Sequence, residues 1–195
     1  MHGQRFLRLL LIVLTAASGF SCCRRQAPSL QLLVEQYIEA ANRHDIAAVR
    51  AMTSENATWH LGPYTLQGRD QMMRPLAFDE GANTVLQASH IVVSGRTVDF
   101  DLVERNDVLK AYGIPELHQF PRMTFRDGLI YRIEVRRPPL EQKALAENAS
   151  SFRQWLKARK PSLYRQFFPE GQLNYSRTTG EQMPLAIEQW KRSLE

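Results

Sequence analysis

Residues 30–70 read LQLLVEQYIEAANRHDIAAVRAMTSENATWHLGPYTLQGRD. Apolar side chains recur at Leu30, Leu33, Val34, Tyr37, Ile38 and Ala41, the spacing of one helical face. Asn42-Arg43-His44 interrupts that face. Asp45 is placed to cap a second, shorter helix with Ile46, Val49 and Met52 on one side. At Ala57-Thr58-Trp59-His60-Leu61 the period changes to two, which predicts a strand that Gly62-Pro63 stops. A second short strand over residues 64–67 ends in Gly68-Arg69-Asp70, where a third helix begins.

This order of helix, N-x-x-D turn, short helix, A-T-W strand and G-R-D turn resembles the opening of the NTF2-like/SnoaL-like family. Near the other end, FPRMTFRDGLIYRIEV over residues 120–135 resembles the family's last two strands, with Leu129 where a Lys is usual. The resemblance implies an α+β fold over residues 29–137. N-terminal helices would pack on a strongly curved mixed or antiparallel sheet, making a cone with an internal pocket.

Between these ends the pattern is looser. Pro75 removes a backbone donor, which predicts a short or kinked third helix, with residues 76–83 as an irregular flap whose Phe78 closes over the pocket. Residues 84–93 are β-rich. Residues 97–105 alternate, with Val98, Phe100 and Leu102 on one face and Asp99 and Asp101 on the other. Residues 117–125 and 129–136 flank Arg126-Asp127-Gly128 as a hairpin, and Pro138-Pro139 ends the sheet. The tail, residues 138–195, predicts a helix over 140–160 anchored by Leu145, Phe152, Trp155 and Leu156. A last helix over 185–194 would be anchored by Leu185, Ile187, Trp190 and Leu194. So many aromatic side chains left in water would form an adhesive patch, so the tail is expected to pack on the cone.

Ahead of the domain, Arg5 and Arg8 precede an apolar run over residues 9–17 and a small-residue exit, the pattern of a signal peptide over residues 1–21. Both cysteines, Cys22 and Cys23, follow at once, so no disulfide framework spans the fold. The position resembles the lipobox of bacterial lipoproteins, which implies lipidation of Cys22, a tether over 22–28 and an exported protein held at the cell-envelope membrane. An ordinary leader with two incidental cysteines, giving a periplasmic or secreted protein, is the alternative. Without Arg5 and Arg8 the remaining chain carries +3, its Lys/Arg excess gathered in residues 122–165. That segment lacks the aromatic partners of a nucleic-acid surface and reads as a solvated face or one toward anionic lipid.

Candidate pocket residues are Tyr37, Trp59, Tyr64, Phe78, His90, Phe100 and His118. Alternation places the more apolar Ala57, Trp59 and Leu61 inward and His60 outward. His90 shares a face with Leu86, Ala88 and Val92, and either His90 or His118 has the chemistry of a pocket acid or base. Residues 36–42 resemble the first helix of ketosteroid isomerases, which implies a hydrogen-bonding role for Tyr37. The matching positions for that family's two carboxylates fall on Leu61 and near Pro121, neither of which titrates. No metal-ligand spacing, phosphate loop, dinucleotide fingerprint or nucleophile elbow occurs, and no cofactor or metal is expected. Three functions remain open: binding of a small, mostly apolar molecule in the cone; an isomerase, cyclase or hydratase using a His or Tyr; and an envelope interaction module, with a homodimer through the open sheet face as one form.

Overall fold

The structure, a computed structural model, describes residues 28–61 and 64–195. The expected signal peptide, Cys22, nearly all of the tether and the Gly62-Pro63 stop lie outside the described residues. Helix α1 (Leu30–Asn42) starts at Ser29, whose Oγ accepts the Leu32 N–H at 3.2 Å. Helix α2 (Ile46–Ala51) starts at Asp45, whose Oδ1 accepts the Ala48 N–H at 2.9 Å. Strands β1 (Thr53–Leu61) and β2 (Tyr64–Gln67) pair antiparallel. Helix α3 (Arg69–Gly81) leads to β3 (Val85–Ser94) and β4 (Thr97–Arg105). The short α4 (Asp107–Tyr112) stops at Gly113 with φ 82°, a left-handed cap that glycine adopts freely. Strands β5 (Leu117–Arg126) and β6 (Leu129–Arg136) follow.

The six strands form one curved sheet in the order β2-β1-β6-β5-β4-β3. All neighbours are antiparallel except β1 and β6, which run parallel with Trp59 beside Ile133 and Leu61 beside Val135. Register shifts interrupt β1, β3 and β5–β6, and such bulges bend and twist the strands that carry them. Helices α1 and α3 cover one face. Val34, Tyr37, Ile38, Met72, Met73 and Leu76 bury against Val98, Phe100, Met123 and Ile133.

Two expectations are corrected. Residues 76–81 are the continuation of α3 and no flap, because Pro75 removes a single helical hydrogen bond while Leu76, Phe78 and Gly81 gain buried contacts beyond it. The last helix also begins eight residues earlier than expected and runs through Pro184.

The tail forms α5 (Pro139–Arg159), α6 (Pro161–Phe167) and α7 (Arg177–Arg192). Phe152, Leu156, Phe167, Met183, Ile187 and Trp190 build a second core with Phe78 and Ala82 of the α3 end and Val108 and Tyr112 of α4. Trp155 stacks on Phe152 at 6.3 Å between ring centres, whereas Leu185 and Leu194 face solvent. Helix α7 crosses α3 where Gly81 meets Gly180, and Arg177 Nη1 contacts Glu80 Oε1 at 2.9 Å. Among the described residues, no helix is long and apolar enough to cross a membrane.

Candidate functional site

Inward-facing positions along the strands form layers. One layer holds Leu61 beside Val135 and Pro121 beside the same Val135, with Phe100 on the adjoining strand. These include the two positions at which the isomerase resemblance would place carboxylates, and the layer is apolar. Polar groups begin one step further along. After Leu102 the next inward residue of β4 is Glu104; Gln119 is buried on β5; and Arg137, just past β6, directs Nη2 to Gln119 Oε1 at 3.4 Å.

Glu104 is well supplied with donors. Its Oε1 accepts from Asn106 Nδ2 at 2.7 Å and its Oε2 from Gln119 Nε2, while the Arg137 guanidinium lies close enough to favour its charge. Facing it from α3, one turn beyond Leu76, is Asp79. Asp79 Oδ1 accepts a single side-chain hydrogen bond, from Thr84 Oγ1 at 3.1 Å. Asn42, at the end of α1, clamps Leu86 through both its backbone N–H (2.7 Å) and its carbonyl (2.9 Å). That clamp fixes the ends of α1 and β3 beside this cluster.

These unlike surroundings separate the two carboxyl groups. Burial, and then the Glu104 charge, push the Asp79 carboxyl up to about 8, and the Thr84 hydrogen bond offsets only part of that. Burial also raises Glu104, but Arg137, Gln119 and Asn106 all pull it back toward ionisation. Asp79 is therefore the member of the pair that keeps its proton up to about 8, and Glu104, raised by burial as well, is the member whose ionised form its surroundings support. Burial, with the nearby Asp79 charge second, raises the Tyr37 phenol, so Tyr37 is a neutral donor beside the acid. Trp59 Nε1 and Arg137 Nε are buried without a hydrogen-bond partner among the described residues.

Of the expected pocket residues, Tyr37, Trp59 and Phe100 lie on the inner side: Tyr37 and Phe100 are core residues, and Trp59 packs against that core. His60 points outward, as alternation requires, and reaches Thr65 Oγ1 at 3.1 Å. The others lie elsewhere. Tyr64 is exposed on the edge strand β2, and Phe78 belongs to the second core. The bulge between Ser89 and Val92 puts His90 at φ 49° and turns it outward, where Nδ1 pairs with Asp101 Oδ2 at 2.8 Å. His118 is also on the outer face, with Nδ1 3.0 Å from Glu141 Oε1 of α5.

Two shallow concavities open on the surface. One of about 350 Å³ lies over the outer sheet face beside His90, Asp101, Phe120 and Arg122. Another of about 530 Å³ lies between α4 and α7 beside Lys110, Glu181 and Leu185. Among the described residues, no cluster of His, Cys, Asp and Glu could hold a metal ion.

Sequence reasoning missed Asp79, Glu104, Gln119 and Arg137. Asp79 sits three residues after Leu76 and seven after Met72, on the buried stripe of α3. Glu104 is the fourth step of the alternation that begins Val98, Phe100, Leu102. Both signals were present in the spacing.

The SnoaL-like domain profile matches residues 34–133. Among solved structures, an NTF2-like protein of unknown function from Cytophaga hutchinsonii has a TM-score of 0.51 at 15% identity, covering 61% of this chain and 98% of its own. An epoxide hydrolase/cyclase-like enzyme of pyran ring formation in the polyether salinomycin has a TM-score of 0.51 at 19% identity, covering 57% of this chain and 92% of its own. A protein of cystatin-like fold from Methylobium petroleophilum has a TM-score of 0.49 at 14% identity, covering 57% and 77%. At such identities the likeness to the first two establishes the shared fold and nothing of its chemistry. A search of curated proteins returned no match.

Proposed function

The chain belongs to the SnoaL-like domain family, and from that premise we propose that its cone is a general acid–base site for a small, mostly apolar molecule carrying a carbonyl, hydroxyl or epoxide oxygen. The observation that carries the reading is the pairing of Asp79 and Glu104, two carboxyl groups at one end of an apolar cone with opposite supporting shells. Asp79 holds a proton at neutral pH and is the general acid toward the substrate oxygen. Glu104, whose ionised form Arg137, Gln119 and Asn106 support, takes the proton released from carbon or from an attacking hydroxyl. Tyr37 adds a neutral donor beside the acid. The apolar layer of Leu61, Phe100 and Val135 receives the hydrocarbon part and keeps the dielectric low enough to hold Asp79 protonated. This division of labour serves isomerisation, cyclisation and epoxide opening alike.

The test has two parts. Carbonyl-¹³C NMR of Asp-labelled protein should show one carboxyl, lost in Asp79→Asn, that titrates far above the ordinary aspartate range. The protein should also promote deuterium exchange into 2-tetralone or opening of styrene oxide, and Asp79→Asn or Glu104→Gln should reduce that turnover by about 10²-fold or more. An Asp79 carboxyl that titrates near 4, or turnover indifferent to both substitutions, would overturn the reading.

The location proposed alongside it rests on the order of Arg5, Arg8, the apolar run and Cys22-Cys23. Export, lipidation of Cys22 and retention at the envelope membrane would place the cone where it meets molecules arriving from outside the cell.

A further inference from the structure

The family profile ends at residue 133, and the helices that follow carry charge as well as a core. Residues 148–169 hold Arg153, Lys157, Arg159, Lys160 and Arg165 and no Asp or Glu. The fold gathers most of these cations at one corner. Helix α5 ends at Arg159 and α6 begins at Pro161, with Lys160 between them at φ −138° and ψ 60°, outside the helical region. The Lys160 N–H still donates to the Leu156 carbonyl at 2.8 Å, and its own carbonyl accepts the Tyr164 N–H at 2.9 Å, so the bend is fixed from both sides. Phe152 and Leu156 on α5 and Phe167 on α6 are fully buried, which commits the inner side of both helices to the second core. Lys157, Arg159, Lys160 and Arg165 are left exposed on the other side.

Arg153 serves the fold itself: its guanidinium lies over the Phe168 ring at 4.6 Å, and its Nη2 donates to the Gly171 carbonyl at 2.7 Å. The other four pair with no carboxylate among the described residues, and Arg165 reaches only Ser162 Oγ, at 3.5 Å. Elsewhere the surface behaves differently, since Arg43, Arg50, Arg122, Arg132 and Arg177 each meet a carboxylate. The carbonyl end of α5 favours positive charge at Lys157 and Arg159. It gives no reason for Lys160 beyond the helix, nor for the absence of acids through residues 148–169.

We propose that the α5–α6 corner is a docking surface for an anionic lipid bilayer. The inference rests on the envelope-membrane location proposed above for the identity of its partner. Each Lys or Arg brought close to an anionic bilayer adds favourable energy, and a basic cluster is the second signal by which a lipid-anchored domain stays against the membrane. Four cations alone hold weakly, so the corner orients a chain that the tether retains, and it sets which side of the domain faces the lipid. Free cations on two firmly joined helices suit a broad anionic plane. Neither surface concavity is lined by them, so they do not form the wall of a small-anion site.

The test measures partition of the full chain onto vesicles of phosphatidylcholine alone and of phosphatidylcholine with phosphatidylglycerol. The leader contributes equally in every variant, so differences among variants read the folded surface. Lys157→Gln with Lys160→Gln should lower partition onto the anionic vesicles about 25-fold, roughly fivefold for each cation lost, and leave the melting temperature and the neutral vesicles unchanged. Arg43→Gln with Arg50→Gln removes the same net charge elsewhere and should lower it far less. Equal losses in the two double variants, no preference for the anionic vesicles, or tighter binding to a DNA duplex than to those vesicles would overturn the inference. Mass spectrometry reads the anchor separately. An unmodified Cys22 with the anionic preference intact removes the anchor and leaves the corner; a modified Cys22 without that preference does the reverse.

Discussion

Gly81 of α3 and Gly180 of α7 pack backbone against backbone. A Cβ on Gly81 would fall 2.0 Å from the Arg177 carbonyl oxygen, and one on Gly180 would fall 2.3 Å from that of Phe78. Neither clash can be relieved by rotating a side chain, so the helices must separate. Gly180→Ala should cost roughly 1–3 kcal/mol or more, as overpacking does in a rigid interior. Urea denaturation checks this, and a variant as stable as the parent would mean that the crossing is loose.

Asp79 supplies a prediction about pH. Its carboxyl ionises near 3.8 in an unconstrained chain and near 8 in the fold. Between those values the folded state holds the extra proton, so this group's contribution to stability declines as pH rises from about 4 to about 8 and is level above that. Asp79→Asn removes that slope and should be the more stable protein at pH 8, by about 1–3 kcal/mol. Denaturant midpoints measured from pH 5 to 9 decide it: parallel profiles for the two proteins would contradict the assignment.

Much of this was legible in the sequence, and the exceptions have physical causes. The Asp45 cap, the inward Trp59 and the outward His60 follow from side-chain spacing alone, because a strand's alternation and a helix's first turn are local properties. The end of α3 was not legible, because Pro75 reads locally as a break whereas its cost is offset by burial of Leu76 and Phe78 against partners far along the chain. That error concealed Asp79. Glu104 continues a visible alternation, but a carboxylate counts as buried only when its supporters are known, and Gln119 and Arg137 arrive from β5 and from beyond β6. His90 follows the alternation until a bulge, which no residue in Ser89-His90-Ile91 announces, reverses its face.

Removing the tail should be severe. A chain ending at Pro139 exposes Phe78, Ala82, Val108 and Tyr112, which now lie in the second core. At about 1.5–3 kcal/mol for each large apolar side chain returned to water, such a chain should be insoluble or melt far below the parent. A cooperative transition at the parent's temperature would show that the cone stands without its extension.

The outward histidines give the opposite expectation. His90 pairs with Asp101 and His118 with Glu141 on exposed surface. His90→Ala and His118→Ala should each change stability by less than about 1 kcal/mol and leave turnover of 2-tetralone or styrene oxide unaltered. Loss of turnover in either variant would move the site to the outer face.

Cys22→Ala should release the protein from the membrane fraction of a bacterial host while leaving its melting temperature unchanged, since the cysteine precedes the first helix. Mass spectrometry of the native protein provides the direct check: an unmodified Cys22, or an N-terminus elsewhere, would remove the anchor.

Strand β6 lies between the β2–β1 pair and the β5–β4–β3 meander, and its parallel partner β1 precedes it by some seventy residues. Until residues 129–136 exist and have found both neighbours, the chain holds two unfinished sheets, each with an unsatisfied edge. Closing so long a loop is entropically slow, and the order of assembly follows. The local β5–β6 hairpin at Asp127-Gly128 should form early, and insertion of β1 along its free edge should complete the sheet late. A change that slows this turn, such as Gly128→Val at φ 76°, should therefore show itself first in refolding rate and in losses to aggregation during refolding. The strand that joins the two halves is also the step at which the protein is most vulnerable while it folds.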